Sequence, residues 1–253
     1  MSDPDSDLTH DAFLGGRLHL WQPRQGYRAA TDPVLLAAAC PAGPGESVLD
    51  LGCGAGAAAL CLATRIPDLR LCGLELQEVY ATLARRNAAE NAIPMLVEVG
   101  DIAAMPATLK RGFDHVIANP PYYPRAGSPS PSVSRDTALR AALPLGDWVQ
   151  AASRRLKPGG WLTLIAGTAN LPDLIAALAP GLGSAAVLPL TPREGRPALR
   201  IILRARKTGR AAFRLLAPFV LHAGPAHDGD RESYTPRARA VLRDAADLSA
   251  EFR

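Results

Sequence analysis

The chain has 253 residues, 48% of them hydrophobic and 21% charged, with a net charge of +4 and a pI near 9.1, a balance that buries one large α/β core without a second domain. Cys40, Cys53, Cys61 and Cys72 stand in apolar or glycine-rich settings with no Cys-x-x-Cys pair, so they read as reduced core residues and exclude a disulfide scaffold. No apolar run approaches the ~18 residues of a membrane span, and the start lacks the basic-then-apolar pattern of a signal peptide, so a soluble, cytoplasmic protein is expected.

Residues 1–12, rich in acids (Asp3, Asp5, Asp7, Asp11), are expected to be a disordered tail ahead of a single domain over 13–253. Pro33–Ala37 predicts a helix capped by Asp32, with Pro33 at its first position. Strands and helices then alternate. Ser47–Leu51 reads as a strand that leads through Gly52-Cys53-Gly54-Ala55-Gly56 into an alanine- and leucine-rich helix. The next strand, Leu71–Leu74, ends in Glu75 and is followed by a helix over Val79–Asn91. Val97–Ile102 and Phe113–Ala118 are two more strands, and Leu145–Leu156 is a helix that closes on Lys157-Pro158-Gly159-Gly160. Strand Trp161–Ala166 and helix Leu171–Leu178 precede two strands, Ala185–Leu190 and Leu199–Arg206, expected to form an antiparallel hairpin. Phe213–Leu221 is an extra strand with no assigned place. The right-handed crossover rule turns this order into a doubly wound, Rossmann-like sheet of seven mostly parallel strands.

Ligands of such sheets bind at the carboxyl ends of the strands, and that is where the informative residues fall. The glycines are spaced Gly-x-Gly-x-Gly, not Gly-x-Gly-x-x-Gly, and Asp50 precedes the first by two residues. A pyrophosphate is repelled there, whereas a cofactor with a cationic amino-acid end is not, which favours S-adenosylmethionine over NAD. Gly52, Gly54 and Gly56 let it approach the backbone and the amides of the following helix. Glu75, with Leu76 beside it, lies about the ~20 residues past the glycines at which an acid grips ribose hydroxyls. Asp101 is placed for the adenine amino group, with Ile102 against the ring. After the Phe113–Ala118 strand comes Asn119-Pro120-Pro121-Tyr122. The Asn119 side-chain oxygen and the Pro120 carbonyl can accept both protons of a planar amine, Pro120 and Pro121 stiffen the backbone, and Tyr122 offers a face for stacking.

These motifs resemble class I S-adenosylmethionine-dependent methyltransferases of the Asn-Pro-Pro-Tyr, amino-methylating kind. Within that group the chain is most similar to the bacterial adenine-N6 methyltransferases of valine tRNA. Further stretches carry the likeness: Gly26-Tyr27-Arg28 with Thr31-Asp32, Tyr123, Arg135-Asp136-Thr137-Ala138, Leu156–Gly160, and Tyr234-Thr235-Pro236. Together they span most of the chain from Phe13 onward. The resemblance implies methylation of adenine N6 in tRNA, with Asn119, Pro120, Pro121 and Tyr122 around the acceptor. Three alternatives stay open: a glutamine methyltransferase acting on a translation protein, an rRNA guanine-N2 methyltransferase, and an RNA-binding module that keeps the fold without turnover. Where the family pattern leads one to expect a bulky aromatic ending, the chain carries Asp244-Ala245-Ala246.

Arg204, Arg206, Lys207, Arg210 and Arg214, with Arg193, Arg196 and Arg200 before them, form a basic cluster suited to nucleic-acid phosphates. Arg17, Arg24 and Arg28 form a second, though Arg28 can instead pair with Asp32 and Tyr27 can simply cover the cofactor pocket. Tyr123–Ser134 reads as a loop that orders over a substrate. His10, His19, His115, His222 and His227 show no metal-ligand spacing, and no Ser-His-Asp arrangement occurs. No metal is expected, and His115 reads as a core residue.

Overall fold

Backbone pairing starts early: Leu8–Phe13 (β1) runs antiparallel to Leu18–Pro23 (β2). Residues 8–12, expected within a disordered tail, are therefore strand. The computed structural model describes residues 5–121, 143–178, 181–225 and 233–252. The first core helix is Thr31–Ala39 (α1). Its N-cap is Ala30, so the expected Asp32 cap is not formed and Pro33 is the third helical residue. Asp32 is drawn away by Arg200, whose guanidinium donates to its carboxylate. Arg28 pairs with Asp11 at 2.8 Å and not with Asp32.

Ser47–Leu51 (β3) follows and is buried at every position, the mark of a parallel strand covered on both faces. Next come Ala57–Arg65 (α2), Arg70–Glu75 (β4), Glu78–Glu90 (α3) and Met95–Val99 (β5). β5 starts two residues before the expected Val97 and stops at Val99, which leaves Asp101 and Ile102 in the turn beyond it. Phe113–Ala118 (β6), Leu145–Arg155 (α4), Leu156–Gly167 (β7) and Leu171–Ala177 (α5) complete the alternation. Within β7 the register with β6 shifts between Phe113 and His115, and Lys157 reaches back to Asp114 at 2.8 Å.

Leu182–Thr191 (β8) and Arg200–Lys207 (β9) form the expected antiparallel pair. The segment of unassigned place supplies two short strands, Arg214–Leu215 (β10) and Phe219–Val220 (β11), both parallel to β8. Among the described residues the sheet has nine strands, in the order β10-β8-β9-β7-β6-β3-β4-β5 with β11 also on β8. The seven expected strands are β3 to β9. Pro236–Asp244 (α6) begins at a Thr235 cap whose hydroxyl accepts from the Ala238 amide at 3.1 Å. Beyond it the chain returns to the core. Phe252 is buried with its ring under Arg204, so the aromatic ending comes eight residues after Asp244.

Strand order reverses between β3 and β6, with β4 and β5 on one side and β7 on the other. That switch point opens a crevice at the strand ends. Leu51 lies opposite Ala118, so the glycine turn and Asn119 leave the sheet side by side.

The β1–β2 hairpin is fixed beside this crevice by α3. Asn87 accepts from the Trp21 amide at 2.7 Å and donates to the Trp21 carbonyl at 3.1 Å. One turn later Asn91 does the same for His19. Two asparagines at i and i+4 thus stand in for a neighbouring strand along the open edge of β2. The four cysteines are free and buried. His115 is buried with its Nε2 2.7 Å from Glu46, while its Nδ1 has no partner among the described residues. No helix among the described residues is long and apolar enough to cross a membrane.

Candidate active site

Two clefts meet at Gly52. The first is lined by Asp50, Gly52, Tyr27, Tyr80 and Asn119, the second by Gly52, Leu76, Asp101, Ile102 and Trp148. The structure therefore brings the acceptor asparagine to the Asp50 side of the glycine turn, and the expected adenine residues to the other.

The turn is tight because Gly52 and Cys53 both donate their amides to the Leu74 carbonyl, at 2.8 and 3.0 Å. Gly52 has φ +67°, and a Cβ there would lie 2.7 Å from Trp148 Cη2. Only glycine fits both the left-handed backbone and the indole. Gly56 caps α2 from the left-handed region without a side-chain cap, which leaves the first amides of that helix for another acceptor.

Asp50 is 2% exposed, and its Oδ2 has no hydrogen-bond partner among the described residues. Burial pushes its carboxyl up to about 7, against the pull of the Ala59 amide. A buried, unmatched carboxylate facing a cleft is suited to a cationic donor such as an ammonium group. Together with a turn that admits no Cβ, it meets the demands of the amino-acid end of S-adenosylmethionine.

Glu75, the expected ribose residue, stands at the end of β4. It is fully buried and lines neither cleft. One carboxylate oxygen accepts from the Gly54 amide and the other from the Gln77 amide, both at 2.9 Å. In this arrangement Glu75 shapes the turn. Asp101 accepts from the Ala103 amide at 2.8 Å through Oδ1, and Ile102 is buried beside it. The Trp148 indole completes this second cleft, with its Nε1 buried and without a hydrogen-bond partner among the described residues.

Asn119 leaves the end of β6 half-buried, followed by a buried Pro120 and a half-buried Pro121. Its Nδ2 donates to the Tyr27 hydroxyl at 3.1 Å. Tyr122, the Tyr123–Ser134 loop, Arg135–Ala138 and His227 lie outside the described residues. Among the described residues no group of three or more His, Cys, Asp or Glu side chains is placed to hold a metal ion. Sequence reasoning gave no role to Gln22, Tyr80, Asn87 or Trp148. Tyr80, Asn87 and Trp148 act across long sequence separations, so no local spacing announces them, and Gln22 acts through the fold of the segment up to Ala29.

Residues 31–172 match the family model described as Methyltransferase small domain. The chain belongs to this family. It is a class I methyltransferase, an enzyme class that uses S-adenosylmethionine. The methyltransferase is 30% identical over 200 residues to a protein of Aeromonas hydrophila named tRNA1(Val) (adenine(37)-N6)-methyltransferase, covering 77% of this chain and 83% of that one. A release factor glutamine methyltransferase of Deinococcus radiodurans is 34% identical over 174 residues, 64% of this chain and 58% of the other. Among solved structures, a predicted O-methyltransferase from Agrobacterium tumefaciens superposes with a TM-score of 0.68 at 27% identity, covering 85% of this methyltransferase and 97% of that chain.

Proposed function

We propose that this methyltransferase methylates the N6 amine of an adenine in tRNA. The reading rests on Asn119 and Pro120 at the end of β6, directly beside the glycine turn at the switch point. It is supported by the name of the Aeromonas relative. When bound, S-adenosylmethionine supplies a methyl group already activated on a sulfonium. The chain's own task is then alignment and the reception of charge. Asp50 holds the cationic amino-acid end against the backbone of Gly52. Gly54, Gly56 and Glu75 keep the turn in shape, and Leu76, Asp101 and Ile102 take the adenine end. The Asn119 oxygen and the Pro120 carbonyl accept the protons of the target amine and orient its lone pair, with Pro121 stiffening the strand exit and Tyr122 stacking on the base.

The Deinococcus relative favours a second reading, in which the same acceptors grip a glutamine carboxamide. One experiment separates the two. The purified enzyme and labelled S-adenosylmethionine are incubated with tRNA from cells lacking the gene, and in parallel with translation release factors. Label in N6-methyladenosine after nucleoside digestion supports the tRNA reading. Label confined to protein overturns it.

A further inference from the structure

We infer that Tyr27 is a positioning residue for methyl transfer, which holds the Asn119 amide with its oxygen turned to the acceptor amine. This deepens the proposed function and rests on that reading of Asn119. An asparagine amide can flip, and the two faces are not equivalent: one presents an acceptor, the other two donors. Facing an NH2 group, the flipped amide sets donor against donor. Something must take the Nδ2 proton and keep it turned away. Tyr27 does so, because its hydroxyl oxygen lies 3.1 Å from Nδ2. A phenol oxygen carries lone pairs that accept such a bond, and in this geometry the Tyr27 oxygen accepts from Nδ2.

Tyr27 is itself held from three directions. Gln22 is buried beneath the Arg24–Arg28 turn, accepts from the Ala29 amide at 2.7 Å and so fixes the base of that turn. Tyr80 on α3 accepts from the Tyr27 amide at 3.0 Å and donates to its carbonyl at 3.2 Å. The turn passes this close because Gly26 has φ +101° and a Cβ there would be 3.0 Å from the Tyr80 hydroxyl. The Tyr27 ring lies over Gly54, where a Cβ would be 3.6 Å from its Cε1. One side chain therefore touches both the cofactor turn and the acceptor motif. Tyr27 as a whole is half exposed, but desolvation at its hydroxyl, with the Asp50 charge, raises the phenol's pKa, so it stays protonated at working pH and serves as a hydrogen-bond partner and not as a base.

The test is a double-mutant cycle of Tyr27→Phe and Asn119→Ala, read by single-turnover and steady-state kinetics on unmodified tRNA, with S-adenosylmethionine binding followed by calorimetry. Tyr27→Phe keeps the ring and is expected to lower kcat about 10-fold, with KM and cofactor affinity within about 2-fold, since alignment matters in the transition state. In the Asn119→Ala background the same change should cost nothing further. An equal loss in both backgrounds assigns Tyr27 to general structure and overturns the inference. A second measurement needs no acceptor. In the cofactor-loaded protein the Asn119 side-chain amide should shift in the nitrogen–proton spectrum on Tyr27→Phe, and an unchanged resonance overturns the inference even if tRNA proves not to be the substrate. A wild-type enzyme inactive on tRNA, with the amide shift present, counts against the tRNA reading alone.

Discussion

Because burial lifts the Asp50 carboxyl to about 7, while an unperturbed aspartate titrates at about 3.9, the folded protein binds a proton there more tightly than the unfolded chain. A folded pKa raised in this way contributes stability in full below the unfolded value and loses it as pH rises through the folded one. The cofactor-free protein should therefore lose stability between pH 4 and about 8, and Asp50→Asn should remove that loss. Cofactor binding has the opposite sign, since an ammonium group needs the ionised carboxylate. Calorimetry should show the wild-type affinity for S-adenosylmethionine strengthening from pH 6 to about 7.5, while Asp50→Asn stays weak and flat. Asn119 is expected to separate binding from chemistry. Asn119→Ala should cut turnover by roughly 100-fold, the scale on which a lost preorganised hydrogen bond acts, with cofactor affinity nearly unchanged. A mutant with near-normal turnover would remove the acceptor role. These residues were legible in the sequence because each stands at the end of an apolar run. Glu75 was legible as a strand-end acid, but the Gly54 and Gln77 amides that its oxygens accept from are revealed only by the folded turn.

Strands β3 to β9 were legible because each is a short apolar run between glycine, proline or polar punctuation, and the parallel sheet buries such runs on both faces. Misread boundaries have tertiary causes. Asp32 reads as a cap until Arg200, 168 residues away, claims its carboxylate. Residues 8–12 look too polar to fold, yet the edge of β2 is matched by Asn87 and Asn91, which makes room for β1 on its other side. The contact of Gly52 with Trp148 on α4 was invisible for the same reason, and it yields an expectation at this scale. Gly52→Ala forces a Cβ into the left-handed region, at about 1–2 kcal/mol, and pushes it against the indole that walls the second cleft. Since about 1 kcal/mol moves the melting temperature by 2–4 °C in a chain of this size, a loss of roughly 2–8 °C is expected, along with weaker cofactor binding. Trp148→Phe in the same background should recover part of the melting temperature, because only the contact with the indole is relieved. Purely additive losses would show that backbone strain alone is at work.

Across the whole molecule the decisive feature is which end of the sheet carries accessible positive charge. β9 runs against β7, with Arg200 opposite Gly167 and Arg206 opposite Trp161. Leu164 of β7 lies level with Ala118, so Arg200 stands at the Asn119 end, and Arg206 lies about 20 Å away toward the other. The sequence, lacking strand direction, merges both sets into one basic cluster. Most of the distant set is used internally. Arg204 is buried with its guanidinium over Trp161 and Phe252. Arg206 donates to the Gly159 carbonyl at 2.9 Å, Lys207 to Ser153 at 3.0 Å, and Arg214 to the Phe252 carbonyl at 2.7 Å. Arg210 remains exposed at that end. At the catalytic end Arg196, in the β8–β9 connection, is exposed, and its guanidinium has no hydrogen-bond or ion-pair partner among the described residues. An RNA whose base reaches Asn119 should run its phosphates over the Arg196 end. Arg196→Ala is then expected to weaken RNA binding and to reduce the slope of log affinity against log salt by about 0.7 to 0.9, one phosphate's share of released counterions. Arg210→Ala removes the same charge from the far end and should leave both quantities unchanged. Salt titrations of binding to unmodified tRNA would decide between them, and an equal effect of the two substitutions would show that the positive charge acts as a diffuse field with no path tied to the catalytic end.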